Sequence, residues 1–198
     1  MLLENKTALI TGCNKGIGKH TLELFSKNNA KLIACVRKNN KEFSKFVTDL
    51  EKKYKSDIQI FELDFEKSEN IKKVSDKIIE KNQVNILVNN LGYLENSLFQ
   101  MTSIQNLKKH FNINLFSQFE FTQYILKSMI KTKNGSIIFL SSSAAIDGNI
   151  GRSSYSSSKS SIIALSKVLS RELGRHKIRV NTIAPGLTNT EMMRNTTN

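Results

Sequence analysis

The chain of 198 residues is long enough for one domain with a sizeable core, and its 39% hydrophobic and 24% charged residues are ordinary for a globular protein. No apolar run approaches the roughly 20 residues of a membrane span, the opening residues lack the pattern of a signal peptide, and two cysteines cannot build a disulfide framework, so we expect a cytoplasmic protein that binds no membrane. The net charge of +13 comes from lysines spread over every predicted helix, which argues against a dedicated nucleic-acid-binding protein, although that function stays an alternative.

Apolar, β-rich runs alternate with helix-periodic segments along the chain. We predict strands at residues 7–11, 31–36, 58–63, 85–89, 136–141 and 178–183. We predict helices between them at residues 17–28, 41–54, 69–81, 104–130 and 155–173. Short, continuously apolar strands are typical of a parallel sheet buried on both faces. The alternation therefore predicts a single Rossmann-like domain over residues 1–198, an α/β fold of three αβα layers with a doubly wound parallel sheet in strand order 3-2-1-4-5-6.

The first predicted strand runs directly into a glycine-rich turn. Gly12, Gly16 and Gly18 have the spacing G-x-x-x-G-x-G. Glycine allows the tight backbone of such a turn and the close approach of a ligand, while the free N–H groups of the following helix favour an anion such as pyrophosphate. We therefore predict a dinucleotide-binding turn formed by Gly12, Asn14, Lys15, Gly16, Ile17 and Gly18.

The end of the second strand bears on the choice of cofactor. An acid normally stands there when the cofactor ribose has a free 2′-hydroxyl, whereas here Arg37 and Lys38 follow the strand. These bases, with Lys15 from the glycine turn, favour a 2′-phosphate and hence NADP(H) over NAD(H), unless they are simply solvated. Asp64, just after the third strand, is a candidate acceptor for the adenine amino group, or else a helix cap.

Tyr155 and Lys159 stand four residues apart on a predicted helix, so their side chains share one face. We expect the ammonium to lower the pKa of the phenol, which would give an acid able to protonate a carbonyl oxygen near neutral pH. Taken alone, the spacing is also compatible with a solvated helix face.

With the glycine turn, Asn89-Asn-Leu-Gly92, Ser142 and the Tyr155–Lys159 pair in this order, the chain resembles the short-chain dehydrogenase/reductase family over essentially its whole length. Within that family it is most similar to the 3-oxoacyl-[acyl-carrier-protein] reductase type. The resemblance implies an NADPH-dependent oxidoreductase that reduces a carbonyl to an alcohol by hydride transfer and needs no metal.

The resemblance also implies four catalytic residues. Tyr155 would donate the proton, Lys159 would bind the nicotinamide ribose, and Ser142 would hold the substrate oxygen. Asn114 would hold a water that links Lys159 to solvent. The thirteen positions from Ser142 to Tyr155 match the family spacing and favour this serine over its neighbours. The competing residues for these roles are Ser141, Ser143 and Asn112.

Two further segments would lie beside the cofactor, again by resemblance. Asn90 and Gly92 would support the sheet close to it. A loop after the last strand would close over the nicotinamide and contribute Pro185, Gly186, Thr188 and Thr190. None of the histidines falls in a catalytic motif, so we expect all of them on the surface: His20, His110 and His176.

The basic charge and the resemblance together bear on partners. An acidic acyl-carrier protein that delivers the substrate would suit this surface, and the residues considered for its docking are Lys131, Lys133, Arg175 and His176. A homodimer would pair through the helices that carry Asn114 and Tyr155. The substrate can equally be a small ketone, a sugar or a steroid-like ring.

The chain stops at Asn198, whereas members of the resembled family normally continue through a substrate-covering helix to a further edge strand. We therefore expect a C-terminally shortened domain whose final edge strand is missing. An alternative function follows from this expectation, namely a catalytically impaired dinucleotide-binding or scaffold protein.

Overall fold

The computed structural model describes residues 2–189, in which six parallel strands form one sheet. The strands are β1 (Thr7–Thr11), β2 (Lys31–Val36), β3 (Ile58–Glu62), β4 (Ile86–Asn89), β5 (Gly135–Leu140) and β6 (Ile178–Ile183). Their order, β3-β2-β1-β4-β5-β6, confirms the predicted doubly wound sheet. In the described part of the chain β6 forms one edge of this sheet and pairs with β5.

Helices connect the strands. They are α1 (Gly16–Lys27), α2 (Lys41–Tyr54), α3 (Ser68–Lys81), α4 (Ile104–Phe111), a π-helical segment (Asn112–Phe116), α5 (Ser117–Thr132), α6 (Ala144–Asp147) and α7 (Ser153–Leu173). Local sequence sets some of their ends: the Asn40 side chain accepts a hydrogen bond from the Phe43 N–H at 2.8 Å and caps α2, which ends at the left-handed Lys55. No helix within residues 2–189 is long and apolar enough to cross a membrane.

The predicted helix over residues 104–130 differs most from the structure. It is interrupted by the π segment, whose wider turns divide it into α4 and α5. The short α6 was not predicted, because four residues carry no readable helical period. Other predicted ends are displaced by one or two residues, as for β5, predicted at 136–141 and found at Gly135–Leu140.

Two apolar layers flank the sheet. One packs α3, α5 and α7 against it and buries Ile71, Phe121 and Ile162 completely. The other packs α1 and α2 on the opposite face through Leu22 and Phe43. Because helices cover both faces of the sheet, consecutive residues along the central strands are apolar instead of alternating with polar ones. The predicted αβα arrangement is confirmed.

β1 and β4 pair directly with each other, and successive strands are added on one side of β1 before β4 and on the other side from β4 onward. At such a switch point the carboxyl ends of neighbouring parallel strands open a crevice in which ligands bind. The loops that follow β1, β4, β5 and β6 converge on this edge, as do the N-termini of α1 and α7. The fold therefore gathers the predicted site segments at one place.

Candidate active site

A long cleft crosses this carboxyl edge of the sheet. Its two arms meet at the glycine turn, where Gly12, Lys15 and Gly92 line both of them. One arm runs to Tyr155 on α7 and the other to Arg37 at the end of β2. The predicted site residues that line the cleft are Gly12, Asn14, Lys15, Gly16, Ile17, Arg37, Asp64, Asn90, Gly92, Ser142, Tyr155, Lys159, Pro185, Gly186 and Thr188.

Three predicted residues fall outside this lining for different reasons. Gly18 supports the glycine turn from within α1, and Asn114 lies behind Gly92. Thr190 lies outside the described residues.

Side chains at the glycine positions of this turn would be strained or would clash with the surrounding backbone and side chains. Gly12 and Gly16 have φ angles of +67° and +54°, which favour glycine. A Cβ added to Gly18 would come within 2.4 Å of both the Asn90 amide nitrogen and the Gly12 carbonyl oxygen. The turn thus leaves open backbone before α1, and this cradle fits a pyrophosphate group.

Asn90 ties the glycine turn to the next strand. Its side-chain amide donates to the carbonyl oxygens of Thr11 at 2.9 Å and Gly12 at 3.0 Å. Its backbone N–H donates to the Thr11 hydroxyl at 3.1 Å. These bonds bridge the ends of β1 and β4 at the switch point, which agrees with the supporting position expected for Asn90.

The arm at the end of β2 contains both bases and acids. The Arg37 side chain is 73% exposed and lies 3.9 Å from a carboxylate oxygen of Glu66. Asp64 accepts a hydrogen bond from the Glu66 N–H at 3.1 Å, so it forms a turn before α3. Asp64 also lines the cleft, where its second oxygen is an acceptor for a ligand.

Tyr155 lies in the other arm with only 7% of its surface exposed. Burial raises the pKa of its phenol, and a hydrogen bond with the Ser142 hydroxyl and the charge of Arg152 offset part of this rise. The expectation that Lys159 lowers the Tyr155 pKa is therefore wrong for the chain without nucleotide. The ammonium is turned elsewhere, and Tyr155 stays protonated at neutral pH.

Lys159 forms the floor of the cleft and is 2% exposed. Its ammonium donates to the Leu140 carbonyl oxygen at 2.7 Å, at the end of β5. Burial lowers the pKa of this amine from 10.5 to about 8. A Cβ on Gly92 would lie 3.3 Å from the Lys159 nitrogen, so glycine at that position leaves the ammonium open to the cleft.

The π segment positions Asn114, which is completely buried. Its side-chain nitrogen donates to the Tyr93 carbonyl at 2.9 Å and to the Ser158 hydroxyl at 3.0 Å, while its oxygen accepts from the Tyr93 N–H at 2.7 Å. Because Ser158 stands beside Lys159 on α7, these bonds hold Asn114 next to this helix. Asn112 begins the π segment and makes none of these contacts.

The three serines after β5 have different partners. The Ser141 hydroxyl is buried and donates to the Lys159 carbonyl at 2.8 Å, which anchors α7 to the sheet. The Ser143 N–H donates to the Pro185 carbonyl at 2.9 Å. The Ser142 hydroxyl accepts the Ala144 N–H at 3.2 Å, lines the cleft and acts to lower the pKa of the Tyr155 phenol, in line with the spacing argument.

Several residues around the cleft escaped the sequence analysis. His110 is completely buried, so its predicted surface position is wrong; its ring lies 6.5 Å from that of Tyr155 and 4.8 Å from that of Tyr93. Its Nε2 accepts the Glu95 N–H at 3.2 Å, a contact that no motif reveals. Other unpredicted lining residues are Leu94, Asn149, Arg152 and Leu187.

The residues considered for docking a carrier protein lie away from this cleft. Lys131 and Lys133 precede β5, and Arg175 and His176 precede β6, at the amino edge of the sheet. The 21 residues of α7 separate this edge from the cleft, a length of about 30 Å. Within one copy of the chain, these bases are therefore too remote to hold a carrier against Tyr155.

Comparison with known proteins agrees with this geometry. The sequence model of the family named short chain dehydrogenase matches residues 6–198. The 3-oxoacyl-[acyl-carrier-protein] reductase FabG of Thermotoga maritima is 35% identical over 195 residues, covering 97% of this chain and 78% of that protein. The acetoacetyl-CoA reductase of an Acinetobacter species is 31% identical over 191 residues, covering 96% and 77%. A solved structure of ElxO with NADP bound has a TM-score of 0.87 at 31% identity and covers 96% of this chain and 77% of that one. The chain belongs to the short-chain dehydrogenase family.

Proposed function

We propose that this protein is an NADPH-dependent reductase that converts the ketone of a 3-oxoacyl compound into an alcohol. The observation that carries the proposal is the meeting of Ser142, Tyr155 and Lys159 in one arm of a cleft whose other arm fits an adenosine phosphate. The named reductases of 3-oxoacyl and acetoacetyl thioesters, at 35% and 31% identity, support the choice of substrate class.

The polar groups at Tyr155 suit the reduction of a carbonyl. Bound NADPH would supply a hydride to the carbonyl carbon. The Ser142 and Tyr155 hydroxyls would both donate to the carbonyl oxygen and so stabilise the negative charge that develops on it. Tyr155 would then transfer its proton, and it is available to do so because burial keeps its pKa above the ordinary value.

A path for replacing that proton runs below Tyr155. Once the nicotinamide ribose is bound, the Lys159 ammonium would hold its hydroxyls and turn from the Leu140 carbonyl toward the phenolate left on Tyr155, which it would stabilise. Asn114 uses both its N–H groups and one lone pair in bonds to Tyr93 and Ser158, so one lone pair remains for a water. A Cβ at Gly92 would lie 3.3 Å from the Lys159 nitrogen and 3.8 Å from the Asn114 oxygen, so both atoms face one small space suited to that water.

The preference for NADPH rests on the end of β2. Arg37 is exposed enough to leave Glu66 for a 2′-phosphate, because an ion pair at 3.9 Å on the surface contributes little. A phosphate offers the guanidinium two charged acceptors in a geometry that it matches. The NADP bound in ElxO, a relative at 31% identity, supports this choice.

Two partners belong to the same proposal. A carrier protein is one source of 3-oxoacyl groups, as the names of the bacterial reductases indicate. A homodimer would pair through the π segment, α5 and α7, on which Phe116, Phe119 and Val168 respectively are exposed. Apolar side chains gathered on a surface favour contact with another protein.

Replacing the proposed proton donor tests the function. Tyr155→Phe removes only one hydroxyl, so it should lower kcat for ketone reduction by a factor of about 100 or more, as loss of a general acid does, while NADPH still binds. Consumption of NADPH with a panel of 3-oxo compounds and nucleotide binding by fluorescence would be measured together.

In the same titrations NADPH should bind more tightly than NADH. Binding of nucleotide without oxidation by the unmodified protein would instead favour the scaffold function, and equal affinity for the two nucleotides would contradict the role of Arg37.

A further inference from the structure

Arg152 is the N-cap residue of α7, the helix that carries Tyr155 and Lys159. It stands three residues before Tyr155, and all three residues line the same arm of the cleft. Exposure increases from the buried Lys159 and Tyr155 to the half-buried Arg152. Arg152 therefore lies on the outer side of the reacting position, where the rest of a substrate would extend.

The backbone of Arg152 is fixed from both sides. Its carbonyl accepts the Ser156 N–H at 2.7 Å in the first turn of α7, and its N–H donates to the Asn149 carbonyl at 3.1 Å. It also forms a parallel bridge with Ser97, whose N–H donates to the Gly151 carbonyl at 2.8 Å. The guanidinium thus projects from a defined point instead of a loose loop.

Among the residues that the structure describes, the charged side chains lining this arm are all cationic: Lys15, Arg152 and Lys159. The sequence predicts a cofactor phosphate as the ligand of Lys15, and Lys159 would hold the ribose, whereas Arg152 has no predicted ligand. Within residues 2–189 no carboxylate lies within ion-pair distance of the Arg152 guanidinium, although five other ion pairs are formed there. A guanidinium that lines a cleft without a protein anion is suited to bind an anion of the ligand.

We propose that Arg152 binds the carboxylate of a free 3-oxo acid, so that the enzyme prefers such acids to their neutral esters. This inference rests on the proposed function and adds the chemical class of the substrate. Arg152 lines the same arm as Ser142 and Tyr155, and its charge acts on the Tyr155 phenol, so the guanidinium lies near the reacting position. With the ketone oxygen on Ser142 and Tyr155, the carboxylate of a 3-oxo acid would face Arg152.

An ester or thioester offers Arg152 a weaker contact. Its acyl oxygen is an uncharged acceptor and cannot take the two charge-assisted hydrogen bonds that a carboxylate accepts. Leu94 and Leu187, which line the same arm, then provide apolar contact for the chain of the acid. The acyl-carrier thioester is thus the competing substrate.

Steady-state kinetics with acetoacetate and ethyl acetoacetate test the inference, because the two differ in the carboxylate. In Arg152→Gln the KM for acetoacetate should rise on the order of 10- to 100-fold, and the KM for the ester should change much less. The kcat values should fall by one common factor, since the charge of Arg152 also acts on Tyr155 with either substrate.

Arg152→Lys should give an intermediate KM for acetoacetate because it retains the charge and loses the paired donors. Arg171→Gln, at the far end of α7, is the matched control and should behave as the unmodified protein.

The outcomes separate this inference from the proposed function. Equal rises in KM for both substrates, or a higher kcat/KM for the ester in the unmodified protein, would overturn the role of Arg152 and leave the reductase intact. Reduction of neither compound would contradict both. Binding of acetoacetate to Tyr155→Phe in the presence of NADPH, measured by calorimetry, needs no turnover and should be lost when Arg152→Gln is added. If Arg152→Gln fails to fold, the substrate ratio of the unmodified protein and the Arg152→Lys variant decide the question.

Discussion

Lys159, the residue proposed to hold the nicotinamide ribose, is buried at a cost to the stability of the fold. Its ammonium is 2% exposed, and in the described part of the chain its neighbours include no carboxylate within ion-pair distance. It donates a hydrogen bond to the Leu140 carbonyl oxygen at 2.7 Å. Burial without a counter-charge disfavours the ammonium, which is why its pKa falls to about 8.

The free energy of unfolding should depend on pH through this one group. The unfolded chain holds the Lys159 proton up to its ordinary pKa of 10.5, whereas the folded chain releases it near 8. Between these values the unfolded state binds more protons, so stability rises with pH. Compared with Lys159→Met, the unmodified protein should therefore gain about 3 kcal/mol from pH 8 to pH 10.5 and show a constant difference below pH 8. Urea unfolding of both proteins without nucleotide, at several pH values, would measure this. A difference that stays flat across the range would mean that burial does not lower the pKa of the Lys159 amine.

Some site residues can be read from sequence and others cannot. Ser142, Tyr155 and Lys159 are tied by spacing along one helix and the strand before it, and their placement in one cleft follows from the fold. His110 and Arg152 belong to no sequence motif that indicates a role. His110 becomes buried only because the loop of Tyr93 and Glu95 folds over it, which is a tertiary effect.

At the scale of elements, the strands were predictable and the π segment was not. The strands are apolar on both faces because helices cover both sides of a doubly wound sheet, so each strand is recognisable as a short apolar run in the sequence. The π segment depends on contacts of Asn114 with Tyr93 and Ser158, which are 21 and 44 residues away along the chain. A helical period cannot encode such contacts, so the sequence indicated one continuous helix over 104–130.

The junction of β1 and α1 depends on the absence of a side chain at Gly18. A Cβ there would come within 2.4 Å of the Asn90 amide and of the Gly12 carbonyl, so Gly18→Ala should push the glycine turn away from Asn90. We expect the free energy of unfolding to fall by about 1–3 kcal/mol, as in overpacked interiors, and the affinity for NADPH to fall at least tenfold.

Gly174→Ala is the matched control for that substitution. Gly174 has helical dihedral angles, and a Cβ would meet no atom within 4 Å. Alanine should therefore leave NADPH binding unchanged and stabilise the protein by up to about 1 kcal/mol, because it restricts the unfolded chain. Thermal melts and nucleotide titrations of both variants give the comparison. Equal effects of the two substitutions would show that the space at Gly18 is not limiting.

At the scale of the whole molecule, the net charge of +13 is spread along the chain, while one helical face combines apolar and polar residues. On the outer face of the π segment and α5, Phe116 and Phe119 stand one turn apart and are 57% and 43% exposed. Ile130, 36% exposed, extends this apolar stripe beyond the exposed Gln123 and Lys127. A surface of this kind favours pairing with a second copy across a two-fold axis, in which the same patch is used by both subunits.

Placing a charge in this apolar stripe tests the dimer. Phe119→Glu would bury an unpaired carboxylate in the interface, which should weaken the dimer by a factor of about ten or more in Kd and yield monomers at micromolar concentration. Leu24→Glu is the matched control, because Leu24 is 56% exposed on α1, on the opposite face of the sheet. Sedimentation velocity over a range of concentrations would report the mass of each variant. With the two-fold axis perpendicular to α5, the facing α5 helices would be antiparallel, and the basic amino edge of one subunit would approach the cleft of its partner. A monomeric unmodified protein, or dissociation by Leu24→Glu alone, would remove both the dimer and this route by which a carrier bound to one subunit could serve the other.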